Sequence, residues 1–510
     1  MAAMLNDKRF YQAFALGVAL VFVALSIGSA LTKRPWSDEG WFASPAFNLS
    51  RNGVMGTLVL EPAQAEWLKG IDRHTYWTVP LHLVTQAGWY EIFGFGLLQM
   101  RTLSMMFGLV GLLSWYVIMK ALSGSEKVAL ATLTLLAFDY VYVSGSSFGR
   151  MDLMCATLGF AALASYLWFR ERNLPLAILI SHSLVAASGM THFLGILHLA
   201  GLLFFTLYFD RTRLSWRHVP VAAVPYMIGA TGWGLYILQS PDDFFAQFSG
   251  NAANSGRLSG FSAPLTAFKA EIAKRYLVAF GLGPRSAGHT GPIMLKILIL
   301  VAYVMGIIGV VASRRIRQHK GYRALLILTG LYFLIMTILD GQKLAWYLVH
   351  IIPLYTAILV VWLQWCWHNR FVPRWMIVLG VCGFVSIQLG GLLYRMKLNT
   401  YQKSYAPAVD FLKRNSNENT LVMGTADLGF GLGFDSNLVD DYQLGYRSGK
   451  KPDIFVIEEV YEEAISGNKT HRPQLYYHVM RTLQDEYRLV YDQNFYKVYA
   501  HQKHKSVGGS

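Results

Sequence analysis

The segment Trp36-Ser37-Asp38-Glu39-Gly40-Trp41 places two adjacent carboxylates directly after the first long apolar run. A carboxylate close to lipid is costly unless it is paired or solvated. The two flanking tryptophans are typical of a membrane–water interface. The pattern therefore indicates chemistry on a substrate presented at the bilayer surface. The structural alternative is that Ser37 or Asp38 caps a short helix beginning near Glu39.

The composition is that of a polytopic membrane protein and excludes a soluble core as the main architecture. Of the 510 residues, 54% are hydrophobic and 15% are charged. The net charge of +15 reflects Lys and Arg beside the spans, and it does not indicate nucleic-acid binding. Cys155, Cys366 and Cys382 all fall in apolar segments, which predicts neither a disulfide framework nor a cysteine metal site.

Eleven apolar runs are of about the length that a membrane span needs, roughly 17–25 residues. The first is followed by no small-residue cleavage site, so we expect it to be retained as a span. The runs are 10–31, 101–120, 128–147, 152–169, 174–189, 193–209, 218–239, 291–312, 323–339, 344–366 and 375–394.

A twelfth apolar stretch, 79–98, is assigned by the distribution of charge. If the N-terminus is cytoplasmic and 79–98 does not span, the Arg-rich loops 169–173, 210–218, 313–323 and 367–374 are all cytoplasmic. That agrees with the positive-inside rule, whereas a span at 79–98 would invert every later loop. We therefore predict a non-spanning helix at 79–98, within a first outer loop 32–100, and a further outer loop at 240–290.

In this topology several more polar residues share the outer face with the acid pair. Asp152 opens the fourth run two residues after Arg150, where the structural alternative is a helix cap beside a snorkelling arginine. Lys343 lies outside, against the positive-inside bias, which a bound phosphate would explain and a snorkelling lysine would equally explain. Arg73 precedes the non-spanning helix and is expected near the same surface.

The chain becomes polar after about residue 395 and carries short alternating patterns around 420–423, 453–457, 487–491 and 495–499. Helical patterns lie between them at 405–414 and 474–486. We predict a small soluble α/β domain over 396–510, following a membrane region over 1–395.

These motifs together resemble the glycosyltransferase C superfamily, in particular its protein O-mannosyltransferase-like and lipid A aminoarabinose transferase-like branch. The resemblance covers about residues 10–395. It rests on the acid pair after the first span, Val79-Pro80-Leu81 in the first outer loop, Arg150-Met151-Asp152, and the Lys343…Trp346-Tyr347…Pro353 segment.

The resemblance implies transfer of a sugar from a polyprenyl-phosphate donor to an acceptor hydroxyl, with inversion, on the periplasmic side of a bacterial inner membrane. The N-terminus would be cytoplasmic and the C-terminus periplasmic. Asp38 is the expected base, with Glu39 as the second choice and Asp152 as a further catalytic carboxylate. Lys343, Arg150 and Arg73 would bind the donor phosphate.

Three questions stay open at this point. A divalent cation, Mg²⁺ or Mn²⁺, held by Asp38 and Asp152 is an alternative to direct base catalysis. The acceptor is a lipid, a glycan or a protein, and the sugar is not specified. The rival function is a transporter or lipid flippase with a carboxylate proton relay, which predicts acids in the middle of spans and repeated halves.

Overall fold

The computed structural model describes residues 2–254, 256, 259–282 and 292–503. The end of the predicted outer loop 240–290 lies outside the described residues. The chain divides into two compact units. Unit 1 comprises residues 1–29, 104–235 and 252–394, and unit 2 comprises residues 30–103, 236–251 and 395–510. The predicted first loop and the polar tail therefore belong to one compact body.

Among the described residues of unit 1, the regular elements are helices and helical turns, joined by loops. Those with all or most of their residues in this unit are Ala2–Thr32, Leu97–Ser123, Glu126–Ala137, Tyr140–Ser146, Met151–Phe169, Leu174–Thr191, Gly195–Asp210, His218–Ile237, Gly250–Asn254, Ser259–Ser262, Pro264–Ala270, Glu271–Tyr276, Val278–Leu282, Pro292–Lys296, Ile297–Ala312, Arg314–Gln318, Lys320–Leu339, Ala345–His350, Ile352–Asn369 and Arg374–Leu398.

The membrane character predicted from composition is confirmed, although fewer spans qualify than the eleven apolar runs. Within the described ranges, seven helices are long and apolar enough to cross a membrane, or nine if each of two bent pairs is one span. Two runs differ for clear reasons. The run 193–209 forms a helix of only 16 residues, Gly195–Asp210. The run 344–366 is divided between the turn Ala345–His350 and the helix Ile352–Asn369, whose polar last turn lowers its hydropathy.

One bent pair shows how the local sequence breaks a span. Glu126–Ala137 and Tyr140–Ser146 meet at 67°. Asp139 caps the second helix by accepting a hydrogen bond from the backbone N–H of Tyr142 at 2.9 Å. Its other oxygen accepts from the Tyr303 hydroxyl and from Gln388 Nε2, both at 2.7 Å. The buried carboxylate is therefore fully hydrogen-bonded at the bend.

Unit 2 combines short helices with a five-stranded sheet. Its helices and turns are Ser37–Asn52, Pro62–Gln64, Glu66–Leu68, Leu81–Phe93, Pro241–Phe244, Phe245–Ser249, Tyr401–Tyr405, Ala406–Asn415, Ala426–Leu428, Gly429–Leu432, Glu459–His471 and Pro473–Glu486. The strands are β1 (Val422–Met423), β2 (Leu438–Val439), β3 (Ile454–Ile457), β4 (Tyr487–Gln493) and β5 (Tyr496–His501).

The sheet has the strand order β2-β1-β3-β5-β4, and β1 runs parallel to both of its neighbours. The strands β3, β5 and β4 pair antiparallel, with Phe455 opposite Tyr499. The apolar face of the helices Glu459–His471 and Pro473–Glu486 packs on this sheet through Tyr461, Ile465, Val479 and Leu483. The predicted α/β character of the tail is thus confirmed, with β2 and the helix Glu459–His471 added to the predicted elements.

The predicted helix at 79–98 is Leu81–Phe93 in the structure. Its 13 residues span about 20 Å at 1.5 Å per residue, which is less than the roughly 30 Å hydrocarbon core of a bilayer. It ends at Gly94, which adopts a φ of 80°.

Candidate active site

The acid pair lies in the first turn of the helix Ser37–Asn52, which we call the acid helix. The chain is extended at Trp36 and turns helical at Ser37. Glu39 stabilises this start because its Oε2 accepts a hydrogen bond from the Trp36 backbone N–H at 3.1 Å. Asp38 is half-buried, whereas Glu39 is wholly buried. Carboxylates at a helix N-terminus are favoured by the helix dipole.

Glu39 forms a bidentate ion pair with Arg101. Arg101 Nε lies 2.8 Å from Glu39 Oε1, and Nη2 lies 2.7 Å from Oε2, with both side chains fully buried. The guanidinium also donates to the backbone carbonyls of Ala30, Lys33 and Arg34 at 2.6, 2.8 and 3.1 Å. Arg101 thereby ties the end of the first helix to the start of the acid helix. No local pattern indicates this partner, which is 62 residues away from Glu39.

The tail supports the acid helix directly. The Trp41 indole N–H donates to Asp440 Oδ2 at 2.8 Å. A Cβ atom at Gly40 would lie 2.4 Å from the backbone of Ala426 and Asp427, so only glycine permits this approach. Asp440 also joins the first loop through a backbone bridge to Leu60. Asp440 is therefore a shared anchor for the acid helix, the first loop and the tail.

Burial shifts the titration of several acids in the tail. It raises the pKa of Asp440 to about 6, that of Asp427 to about 7 and that of Glu458 to about 8. Arg34 opposes part of this shift at Glu458, where its Nη1 lies 3.6 Å from Oε2. Its Nη2 lies 2.5 Å from Glu459 Oε2. These buried acids lie beside the backbone on which the acid helix packs.

Arg73, also in unit 2, is the most accessible of the predicted phosphate ligands. Its side chain is 65% exposed and lies 3.5 Å from Asp243 Oδ2. Asp243 is buried and accepts a shorter hydrogen bond from the Ser240 hydroxyl at 2.7 Å. The Arg73 contact is therefore weak, and a bound anion could replace it at little cost.

Arg150 and Asp152 form a buried pair in unit 1. Arg150 Nε donates to Asp152 Oδ2 at 2.8 Å, and both side chains are about one-twentieth exposed. The guanidinium carbon lies 4.8 Å from the centre of the Trp346 ring. Asp152 occupies the first turn of the helix Met151–Phe169, with Arg150 at the N-cap position. Asp152 is therefore inside the first turn and is not the cap, and Arg150 is buried and paired, so the structure shows neither the predicted aspartate cap nor a snorkelling arginine.

Lys343 belongs to a buried cluster of four charged residues in unit 1. Its Nζ lies 3.0 Å from Glu271 Oε2 and also donates to the Thr337 carbonyl. Arg275 Nη1 lies 2.9 Å from Glu271 Oε1, and Nη2 pairs with Asp340. The cluster has two positive and two negative members. Burial lowers the pKa of Lys343 and raises that of Glu271.

This cluster changes the interpretation of Lys343. The sequence offered a snorkelling lysine or a phosphate ligand, whereas the side chain is only 1% exposed and paired with Glu271. Lys343 also has a left-handed φ of 59°, held by hydrogen bonds from the backbone N–H groups of Gln342 and Leu344 to Asp340. Glu271 and the Thr337 carbonyl therefore occupy the side chain that was predicted to bind a phosphate.

Among the described residues, one cluster can hold a metal ion, and it contains Cys155, His198 and His350. The sequence missed it because the three residues lie on three separate elements and show no ligand spacing. Asp38 and Asp152, the predicted cation ligands, belong to different units.

No protein-family model matches this sequence, and no curated protein sequence does either. Solved structures do share its fold. The structure of ArnT from Cupriavidus metallidurans bound to undecaprenyl phosphate is similar with a TM-score of 0.59 and 16% identity, over 97% of this chain and 98% of that chain. The apo state of ArnT has the same TM-score at 15% identity, over 98% of each chain.

The Archaeoglobus fulgidus oligosaccharyltransferase in complex with Zn and sulfate is similar with a TM-score of 0.57 and 11% identity, over 96% of this chain and 73% of that chain. The oligosaccharyltransferase AglB of the same organism, in complex with an inhibitory peptide and a dolichol-phosphate, gives 0.52 and 10%, over 98% and 75%. At these identities the likeness shows the fold. This chain therefore shares its fold with ArnT and with the Archaeoglobus fulgidus oligosaccharyltransferase, in agreement with the fold predicted from the sequence motifs.

Proposed function

We propose that this protein transfers a sugar from a polyprenyl-phosphate donor to an acceptor hydroxyl at the outer face of a membrane, with inversion. The observation that carries the proposal is the acid helix. This helix holds Asp38 half-buried at its N-terminus, beside the Glu39–Arg101 pair, in which the two charges cancel. Two solved structures with this fold contain undecaprenyl phosphate and a dolichol-phosphate.

Asp38 is the proposed general base. Glu39 is a poor candidate because Arg101 occupies both of its oxygens and the Trp36 N–H occupies Oε2 a second time. A carboxylate so strongly paired is a weak base. Glu39 instead fixes the first turn of the acid helix and so orients Asp38 beside it.

The proposed step breaks one bond and forms one. The acceptor oxygen attacks the anomeric carbon of the sugar from the face opposite the phosphate, which gives inversion. The bond from that carbon to the phosphate oxygen breaks, and the electron pair leaves with the polyprenyl phosphate. The acceptor proton passes to Asp38. Phosphate is already a good leaving group, so positive charge is needed there, not a general acid.

Arg73 in unit 2 and Arg150 in unit 1 are separate candidates for binding the donor phosphate. Arg73 is largely exposed, so it can bind an anion without losing a strong contact. Arg150 offers a planar guanidinium held by Asp152 and Trp346, which suits phosphate oxygens. Lys343 joins them only if it exchanges Glu271 for the phosphate. Asp152 then serves to position Arg150.

The alternative role of Asp38 and Asp152 is to bind a divalent cation. In that mechanism Mg²⁺ or Mn²⁺ would stabilise the charge developing on the leaving phosphate. A chelator distinguishes the two, because inhibition that Mg²⁺ or Mn²⁺ reverses requires the cation and unchanged transfer favours direct base catalysis by Asp38.

The transporter hypothesis finds less support. A proton relay needs carboxylates within the spans that can exchange protons. Asp139 is such a residue by position, yet its oxygens accept hydrogen bonds from Tyr303, Gln388 and the Tyr142 N–H. That arrangement is typical of a structural cap at a bent helix.

The direct experiment measures transfer of radiolabelled sugar from polyprenyl phosphate in membranes that contain the wild-type protein, the Asp38→Asn variant or neither. A panel of polyprenyl-phosphate sugars identifies the donor. We expect label in the acceptor fraction with the wild type alone. Equal label in all three membranes would overturn the proposal.

A further inference from the structure

Three residues with metal-binding side chains meet inside unit 1. Cys155 belongs to the helix Met151–Phe169, His198 to Gly195–Asp210 and His350 to the turn Ala345–His350. All three are fully buried, and one potential ligand atom from each lies within 4.8 Å of the others. Polar groups are expensive in an apolar membrane interior, so a cluster of this kind calls for a reason.

The two imidazoles are already close to the separation that a shared ion requires. His198 Nε2 lies 3.1 Å from His350 Nδ1. Two nitrogens bound to one metal at about 2.0–2.1 Å are roughly 3.5 Å apart in a trigonal site. His198 Nδ1 lies 2.9 Å from the Tyr332 hydroxyl. If that nitrogen donates to Tyr332, its ring presents Nε2 as a ligand, which is how outer partners orient metal-binding histidines.

The surrounding backbone makes room for this cluster. A Cβ at Gly159 would lie 1.8 Å from the His198 ring, and one at Gly201 would lie 2.8 Å from the Tyr332 hydroxyl. Each ring therefore occupies space that a glycine leaves open. The positions of His198 and Tyr332 follow from close helix packing and not from loose filling of a cavity.

The ligand atom of His350 in this cluster is Nδ1, because Nδ1 is the nitrogen that faces His198 Nε2. When Nδ1 binds a metal, the imidazole proton is on Nε2. This Nε2 is buried and has no hydrogen-bond partner among the residues that the structure describes, so it is not the atom that the ion would satisfy.

We propose that Cys155, His198 and His350 bind one thiophilic metal ion, and that this ion is Cu⁺. One thiolate and two imidazoles form the trigonal donor set used by copper sites. The charge also favours Cu⁺, because its single positive charge and the Cys155 thiolate sum to zero. Zn²⁺ would leave a net positive charge in the apolar interior, which is costly to bury. Binding releases the Cys155 thiol proton to solvent.

The ion would join three elements that also carry proposed site residues. Asp152 lies three residues before Cys155 and therefore on the same face of its helix. Trp346, which packs against Arg150, lies in the same turn as His350. Copper would hold the Arg150–Asp152 pair and Trp346 together. It takes no part in sugar transfer, so the two proposals can fail separately.

The test uses the full-length protein in lipid nanodiscs, incubated with Cu⁺ under a reductant or with Zn²⁺ and then desalted. Elemental mass spectrometry should find one copper per chain in the wild type. The amount of copper retained per chain should fall at least tenfold in Cys155→Ser and in His350→Gln. Cys366→Ser is the matched control, because Cys366 is also a buried free cysteine, and it should retain the metal.

Copper-edge X-ray absorption on the wild type provides a second measurement that needs no variant to fold. It should detect one sulfur and two nitrogen ligands. Copper retained by Cys155→Ser, no copper in the wild type, or a spectrum without sulfur would each overturn the proposal. Binding of Zn²⁺ with exclusion of Cu⁺ would overturn the choice of ion.

Discussion

Arg101 and Glu39 form a bidentate pair with N–O distances of 2.8 and 2.7 Å and with neither side chain exposed. The pair gives two adjacent acids different environments. Glu39 is committed to Arg101, whereas Asp38 is half-buried at the same helix start. The first two predictions test this division of roles.

Asp38→Asn should abolish most of the transfer activity without loss of folding. The amide keeps the size of the carboxylate and is as good a residue near a helix start, but it cannot accept the acceptor's proton. Loss of a general base typically lowers the rate by ~10²–10⁴-fold. Single-turnover transfer and thermal unfolding, measured on the same preparation, check both parts. Near-normal transfer would remove Asp38 from the mechanism.

Unlike Asp38→Asn, Glu39→Gln should destabilise the protein. It leaves the Arg101 guanidinium buried without a counter-charge, and breaking a buried pair costs about 3–5 kcal/mol. The double variant Glu39→Gln, Arg101→Met removes both charges and should recover much of the thermal stability. If Glu39→Gln kept its stability but lost transfer, Glu39 and not Asp38 would be the base.

Lys343 and Glu271 allow a test that separates ion pairing from donor binding. Lys343→Met alone should destabilise the fold, because Glu271 and Asp340 then outnumber Arg275 in a buried site. Lys343→Met with Glu271→Gln restores charge balance and should regain most of the stability. If Lys343 binds the donor phosphate, the stable double variant should still show a KM for the lipid donor raised about tenfold or more. A normal KM would assign Lys343 to structure alone.

Gly40→Ala should impair both folding and transfer. Its Cβ would lie 2.4 Å from the backbone of Ala426 and Asp427, and backbone cannot move aside as a flexible side chain can. Overpacking of this kind costs roughly 1–3 kcal/mol. Gly88→Ala, in another helix of unit 2, is the control, because a Cβ at Gly88 would have nothing within 4 Å. Equal unfolding temperatures for the two variants would contradict the close contact at Gly40.

Stability should fall as pH rises from 5.5 to 8.5. Burial raises the folded-state pKa of Asp427 to about 7 and of Glu458 to about 8. Their ordinary values are near 4, so between these limits the folded state binds more protons than the unfolded state. Each carboxyl therefore contributes stability below its ordinary pKa that is lost as pH passes the raised value. Thermal unfolding across this range checks the slope, which Asp427→Asn or Glu458→Gln should flatten.

The orientation of the chain is testable by labelling single cysteines from outside intact cells, on a background without native cysteines. A cysteine at Ser448 should react and one at His319 should not, because the Arg-rich segment 313–323 is predicted to be cytoplasmic. Labelling at His319 would reverse the topology.

Local patterns in the sequence predicted many of the helices and strands. Apolar runs predicted the long helices because hydropathy is a property of consecutive residues, and alternation predicted the strands around Phe455 and Tyr499 for the same reason. Local patterns do not extend to contacts between distant segments. Arg101 lies 62 residues from Glu39, and Glu271 lies 72 positions before Lys343, each in a stretch that gives no sign of the other.

The candidate site divides in the same way. The sequence indicated Asp38, Arg150 and Asp152 because an acid or an arginine is unusual at the end of an apolar run. The cluster of Cys155, His198 and His350 was invisible because each residue is unremarkable in its own helix or turn. Only the packing at Gly159 brings His198 against the helix that carries Cys155.

The hydrogen bond from Trp41 to Asp440 joins residues 399 positions apart. During synthesis the ribosome completes the acid helix long before it makes Ala426, Asp427 or Asp440. The acid helix therefore cannot settle into its final packing until nearly the whole chain has been translated. A truncated or stalled product would carry Asp38 without the support that orients it, so we expect an unfinished polypeptide to lack the proposed transfer activity.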